Sequence, residues 1–434
     1  MKYNDECQLI VNQNSKRNKN INEEYTKIID YNQAKKSIYK VLILISFIFF
    51  IIIFIFILSK IKMMFTSPNI ILKDPNSKFL SSTNQTLINE LNKIIISLEE
   101  RPIIPSQNNK KISSNNNPKI SAIIPIYNNA EKIKLTIYSI QKQNLSDYEI
   151  IIIDDNSEDN SVQLIEQIQQ EDPRIKLLKN KNNKGILYTR SIGTLNSKGK
   201  YIFPINSGDI FINDIFHICE EEAELNNIDI LEFSGYNYSI SNQTVSSIPN
   251  QLFVKYRKNG EIILQPDLSN FMYKNKNESN VYEMIDELIW GKCIKSNIYK
   301  KAIDMLNFVI YTEKVFFYES QIINFGLFKV ANSFKFININ GIIHMHNIKL
   351  KTDKNQYIHD NIKYIISLFK ITQNSKEVEI AIYEFENSLS LLTNELNEDN
   401  KNLIWNLFKE ISKSKFISED KKQELETKLK TILK

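Results

Sequence analysis

Residues 148–161 read YEIIIIDDNSEDNS. Four consecutive isoleucines leave no polar face, so this run predicts a strand over 149–153 that is covered on both sides, as in a parallel sheet between helix layers. The strand delivers Asp154 and Asp155 to the carboxyl edge of the sheet, where open α/β sheets bind ligands. Asp-Asn-Ser is also turn and helix-capping chemistry, so the pair alone fits a ligand site and a tight turn equally well.

Outward from this run the same alternation repeats. Ile-rich runs predict strands at 120–126, 175–178, 201–205 and 228–233. Amphipathic stretches predict crossover helices at 131–143, 160–170, 187–196 and 214–225. The fold class is therefore α/β, a mostly parallel Rossmann-like sheet flanked by helices. From Asp360 to Lys434 the chain is helix-forming, with Ile365, Leu368, Phe369, Ile380 and Phe385 among charged residues, and carries no motif.

The chain has 434 residues, 42% of them hydrophobic, which suffices for one large core with attachments. Its 55 basic and 50 acidic side chains leave a net charge of +5 with no dominant basic block, so the electrostatic footprint of a nucleic-acid binder is missing. Three cysteines, Cys7, Cys219 and Cys293, cannot build a disulfide framework, and Cys219 in its apolar run reads as a small core residue.

Val41–Leu58, VLILISFIFFIIIFIFIL, carries no charge. At about 1.5 Å per residue it would match a bilayer's hydrocarbon thickness, so the expectation is an uncleaved transmembrane signal anchor over 41–59. Residues 1–40 then form a cytoplasmic tail and 60–117 a stem punctuated by Pro68, Pro75, Pro102 and Pro105. The expected location is a single-pass type II membrane protein of the Golgi or endoplasmic reticulum. Flanking lysines are balanced and do not fix the orientation, while the glycosylation sequons at Asn84, Asn144, Asn237, Asn242 and Asn277 permit a lumenal domain. Within the stem, Leu87, Leu91, Ile94 and Leu98 follow a heptad-like spacing on a short helix that could pair two stems into a homodimer. The large domain is expected over 118–350 and a helical region over 351–434.

Three motifs in order, AIIPIYNNAEKIKLTIYSIQKQ, YEIIIIDDNSEDNS and NNKGILYTRSIGTLNSKGKYI, resemble glycosyltransferase family 2, whose members have the nucleotide-diphospho-sugar transferase (GT-A type) fold. The resemblance covers 119–211. It implies that Pro125 and Tyr127 hold the base of a UDP- or GDP-sugar donor together with Asp155, which Asp154 supports. It also implies that Lys184, Gly185 and Arg190 line the donor site, with Arg190 suited to phosphate oxygens through its planar fork. The acceptor is a glycan, protein or lipid hydroxyl.

The family's fourth strand ends in Asp-x-Asp, which holds a divalent cation. Here the segment is Ile205-Asn206-Ser207-Gly208-Asp209, with an amide and a glycine where two carboxylates are usual. A hard cation prefers carboxylate oxygens, so a Mn²⁺ or Mg²⁺ site is expected only in weakened form, with Asp209, His344 and His346 as ligands, and metal independence is the other option. Inverting transfer needs a carboxylate base. The segment YTEKVFFYES matches the family's acidic pair with Glu313, and Glu319 is the second candidate. Trp290 and Lys292, in ELIWGK, match the acceptor-side segment, where Trp290 could stack on a sugar. Two readings follow: an active, inverting glycosyltransferase, and an inactive relative that binds a nucleotide sugar or glycan or scaffolds a partner.

Overall fold

The chain divides into two units, Met1–Ile71 and Leu72–Lys434. A computed structural model describes residues 85–100, 117–239, 244–248, 259–265, 273–276, 281–284, 288–312, 314–345, 354–372, 375–391, 396 and 398–433, all in the second unit. Helix α1 (Gln85–Glu99) comes first. The expected alternation follows as β1 (Ile120–Ile126), α2 (Ala130–Gln141), β2 (Tyr148–Asp154), α3 (Ser161–Glu171), β3 (Ile175–Lys179), α4 (Ile186–Asn196) and β4 (Tyr201–Pro204). The middle of the chain supplies β5 (Ile210–Phe211), α5 (Ile215–Asn226), β6 (Ile230–Ser239), β7 (Thr244–Ile248), β8 (Ile262–Leu264), the hairpin β9 (Tyr273–Lys276) and β10 (Val281–Met284), and β11 (Lys292–Lys295). Then come α6 (Ser296–Met305), α7 (Asn307–Ile310), α8 (Glu319–Val330) and β12 (Ser333–Met345), and last α9 (Lys354–Ile371), α10 (Ser375–Leu391), α11 (Glu398–Ser412) and α12 (Glu419–Ile432).

The main sheet runs β3-β2-β1-β4-β11-β6-β12-β5, with β7 paired to β6 and β8 to β12. β1 pairs in parallel with β2 on one side and β4 on the other, so strand order reverses there and opens a crevice at their carboxyl ends. β11 enters antiparallel between β4 and β6, which makes the sheet mixed.

The isoleucine runs sort by the two-residue period of a strand. Ile123, Ile151 and Ile153 pack into one layer with Leu187 and helices α6 and α8–α12, whereas Ala122, Ile124, Ile150 and Ile152 pack into the other with α1, α2, α3 and α5. Each fully buried isoleucine contributes about 1.5–3 kcal/mol relative to exposure, and this two-sided coverage is what the continuous apolar strands require.

Two expectations are corrected. Among the described residues no helix is long and apolar enough to cross a membrane. The longest of them, α9, has 18 residues and carries Asp360, Lys363 and Lys370. The transmembrane signal anchor and the single-pass localisation drawn from it are therefore withdrawn, and residues 41–59 themselves lie outside the described residues. The heptad-like face of the stem is also occupied from within the chain. Leu87, Ile88, Leu91, Ile95 and Leu98 of α1 are buried in the α2/β7 layer, and Tyr238 Oη donates to Asn92 Oδ1 at 2.6 Å. The face proposed to pair two stems is used to pack the stem helix on its own domain.

Candidate active site

The loops at the carboxyl ends of β1 and β2 are tied to each other by the polar residues of their motifs. Asn128 N donates to Ser157 Oγ at 2.9 Å, Glu158 N to Asn128 Oδ1 at 2.7 Å, and Ala130 N to Asp159 Oδ2 at 3.0 Å. The turn chemistry of NSEDNS thus shapes the site. Asn128 takes the left-handed conformation this requires, with φ 48°. Tyr127, just before it, is left 48% exposed at the mouth of the crevice, while Pro125 is buried.

Asp154 and Asp155 are both buried and do different work. Asp154 accepts from Ser157 N at 3.2 Å, closing the turn after β2. Asp155 Oδ1 accepts from Asn180 Nδ2 at 2.8 Å and Lys184 N at 2.7 Å, and its Oδ2 accepts from Gly185 N at 2.8 Å. One carboxylate therefore latches the β3–α4 loop, in hydrogen bonds strengthened by its charge. Asn180, which also donates to Thr189 Oγ1 at 3.1 Å, was not singled out from sequence; a polar side chain directly after β3 was the available signal. Gly185 has φ +85°, and a Cβ there would lie 2.6 Å from Val315 O, so only glycine fits. Lys184 stays exposed, its Nζ 6.0 Å from the Tyr188 ring.

Arg190 is 0% exposed and does not face the crevice. Its Nε donates to Glu319 Oε1, while Nη1 reaches Ile205 O at 3.2 Å and Nη2 reaches Asn206 Oδ1 at 2.7 Å. Both residues expected to act on substrate are thus joined in an internal ion pair. Burial pushes the Glu319 carboxyl up, more than the Arg190 charge pulls it down. Glu313, the first candidate base, lies outside the described residues.

Asn206, where the family places its first aspartate, uses its amide oxygen on Arg190. Asp209 is 2% exposed, with His344 Nδ1 at 2.9 and 3.0 Å from its two oxygens and Met345 N donating to Oδ1 at 3.1 Å. For His344, burial works against the charged ring, but Asp209's charge and hydrogen bond outweigh it and leave the pKa raised. His346 lies outside the described residues. Among the described residues no three carboxylate, imidazole or thiol groups converge as a cation would need. Asn206 turns its amide oxygen to Arg190, Asp209 turns to His344 and the Met345 N–H, and Gly208 brings no side-chain ligand to this turn.

The expected acceptor residues face inward. Trp290 is 6% exposed and stacks on the His344 ring, with centroids 4.5 Å apart. Lys292 is 1% exposed, bound to Leu288 O, with its Nζ 3.9 Å from Glu232 Oε2. Trp290 thus backs the imidazole that meets Asp209. The structure thus joins Asp155 to Lys184 and Gly185, leaves Tyr127 exposed directly after β1, and buries Arg190, Glu319, Asp209, Trp290 and Lys292.

Residues 121–273 match the family model described as glycosyl transferase family 2. An uncharacterised glycosyltransferase of Bacillus subtilis, EpsJ, is 25% identical over 263 residues, 61% of this chain and 69% of that protein. The glycosyltransferase GlyG of Streptococcus pneumoniae is 29% identical over 28% of this chain, which spans 40% of its length. The Escherichia coli enzyme WfgD, named as a UDP-Glc:alpha-D-GlcNAc-diphosphoundecaprenol beta-1,3-glucosyltransferase, is 29% identical over 32% of this chain and 53% of its own. Among solved structures, residues 1–349 of S. aureus TarS in complex with UDP-GlcNAc superpose with a TM-score of 0.50 at 13% identity, covering 68% of this chain and 81% of TarS 1–349, a likeness of fold.

Proposed function

From the premise that this chain belongs to glycosyl transferase family 2 and is a glycosyltransferase, we propose that it transfers a sugar from a uridine diphosphate donor to a glycan, protein or lipid hydroxyl, with inversion. The observation that carries this reading is the Asp155 latch. It holds the Lys184–Gly185 backbone in one place, while the Tyr127 ring and the Lys184 side chain stay exposed. An exposed tyrosine ring beside a fixed polar loop suits a nucleobase, and an exposed ammonium suits a diphosphate. The donor named for WfgD favours uridine.

In this reading Glu313 accepts the proton of the acceptor hydroxyl as its oxygen attacks the anomeric carbon, and the nucleoside diphosphate leaves. Glu319 keeps Arg190 in place. No step runs through a metal, because Asn206 and Asp209 are committed to Arg190 and His344. The full-length protein should be titrated with UDP-glucose, UDP-N-acetylglucosamine and GDP-mannose, with Mn²⁺ or with EDTA, following heat of binding and release of nucleotide. UDP-sugars should bind in EDTA, and Tyr127→Ala should weaken them about tenfold, the loss of one stacked ring. Preference for GDP-mannose would overturn the uridine assignment, and binding that requires Mn²⁺ would overturn the metal-independent one.

A further inference from the structure

Helix α9 lies outside the three family motifs, yet its first turns hold the loop that precedes α8. Gln356, Asp360 and Tyr364 are spaced four apart and so share one face, with Tyr357 beside it. Asp360 is 0% exposed. Its Oδ2 accepts from two successive backbone N–H groups, Phe316 at 2.7 Å and Phe317 at 2.8 Å, the geometry of an anion nest. Gln356 Nε2 donates to Asp360 Oδ1 at 2.6 Å and to Lys314 O at 3.3 Å, and His359 Nδ1 lies 3.1 Å from that same Oδ1. Tyr318 Oη donates to Tyr357 Oη at 2.6 Å, and the Tyr318 ring stacks on Tyr364 at 5.6 Å. Tyr318 sits at φ 58°, a conformation that costs a non-glycine residue of order 1 kcal/mol or more and persists only where its surroundings fix it.

The other side of this loop meets the donor loop. Val315 O accepts from Leu187 N at 3.4 Å and lies so close to Gly185 that no Cβ fits between them. Gly185 N and Lys184 N are the groups that Asp155 holds. Directly after Tyr318, Glu319 binds Arg190, and Arg190 binds Asn206. A buried carboxylate in the C-terminal helices is thus joined to the Gly185 loop through Val315, and to the turn after β4 through Glu319, Arg190 and Asn206.

We infer that Asp360 is a positioning residue for sugar transfer: by fixing the 314–318 loop against Gly185 it sets the donor loop from behind, and it holds the chain that leads into Glu319. This rests on assigning the Asp155–Gly185 latch to the donor. The test uses full-length Asp360→Asn, which keeps the volume and removes the charge. UDP affinity is measured by calorimetry, and backbone amide exchange is followed in peptides covering 184–187, 314–318 and the central strand 148–154.

UDP should bind about tenfold more weakly, the equivalent of one charge-assisted hydrogen bond, and exchange should quicken at both 314–318 and 184–187 while 148–154 stays protected. Tyr357→Phe, which removes one hydroxyl from a ring that is 37% exposed, should do the same to a smaller degree, about threefold. Unchanged affinity and unchanged protection at 184–187 in Asp360→Asn would overturn the inference, and so would exchange that rises equally in 148–154, since that is the mark of general destabilisation. Should Asp360→Asn not fold, Tyr357→Phe decides alone, and a wild-type profile in it refutes the proposal. A wild-type protein that binds no UDP would instead refute the donor assignment, and exchange at 184–187 in the variants still judges the coupling.

Discussion

Asp155→Asn perturbs the point on which the crevice depends. The carboxylate takes three hydrogen bonds, two on Oδ1 from Asn180 Nδ2 and Lys184 N and one on Oδ2 from Gly185 N. An asparagine that keeps its oxygen in the Oδ1 place preserves two of these without their charge and turns an amide NH₂ toward the Gly185 N–H. A lost bond to a charged acceptor costs about 1.5–3 kcal/mol, and a buried donor left facing another donor costs about 1–3 kcal/mol. The expected loss is about 3 kcal/mol, a large share of the roughly 5–15 kcal/mol that holds a domain folded. Urea unfolding of the full-length protein, followed by tryptophan fluorescence, should show a midpoint about 1 M lower for a slope near 3 kcal/mol/M. UDP affinity should fall at least tenfold in the same protein. A midpoint within about 0.2 M of wild type would refute the reasoning, because it would mean that the Lys184 and Gly185 amides do not depend on Asp155.

Gly185→Ala would place a methyl 2.6 Å from Val315 O at a φ of +85°; a loss of about 2–4 kcal/mol in thermal or urea unfolding is expected, together with weaker UDP binding. Glu319→Leu should cost about 3–5 kcal/mol by leaving Arg190 buried without its counter-charge, and pairing it with Arg190→Met should recover part of the loss; an unchanged or greater loss in the double variant would show that the pair is not the source. Burial alone would raise Glu149 and Asp172, but Lys176, Ser121 and the Lys198 N–H hold the first below its ordinary 4.5, and Arg174 and Gln141 hold the second below its ordinary 3.8. Their stabilisation is therefore present above those values and lost as the pH falls through the lower folded ones, so Glu149→Gln should flatten the acid side of a stability-against-pH curve below about pH 4.5.

The parallel half of the fold was legible because its signal is local. A strand buried on both faces must be apolar throughout, and the crossover helices show their inward stripe every three to four residues, so β1 to β4 and α2 to α4 stand within two residues of expectation. The antiparallel half was not. β11 has four residues and finds its place between β4 and β6 only through pairing with chain 60 to 94 residues away, which no periodicity within it records. Of the residues the family motifs single out, Asp155, Lys184 and Gly185 are joined by hydrogen bonds. Burial could not be read for Arg190, Trp290 and Lys292, because a charged or aromatic side chain near a motif looks the same in sequence whether it faces a ligand or an internal counterpart. Asp360 was invisible for the same reason: Gln356, Asp360 and Tyr364 look like the polar stripe of an ordinary amphipathic helix until the loop they hold is in place.

The packing of α1 bears on where the enzyme can be cut. A truncation beginning at residue 118, at the sequence boundary of the large domain, would discard Leu87, Ile88, Leu91, Ile95 and Leu98 along with the Asn92 acceptor for Tyr238. The apolar side of the α2/β7 layer would then face water, as a contiguous patch of the kind that drives self-association. A soluble fragment must start ahead of Gln85, so the helix outside the catalytic motifs is a lining that the domain cannot shed.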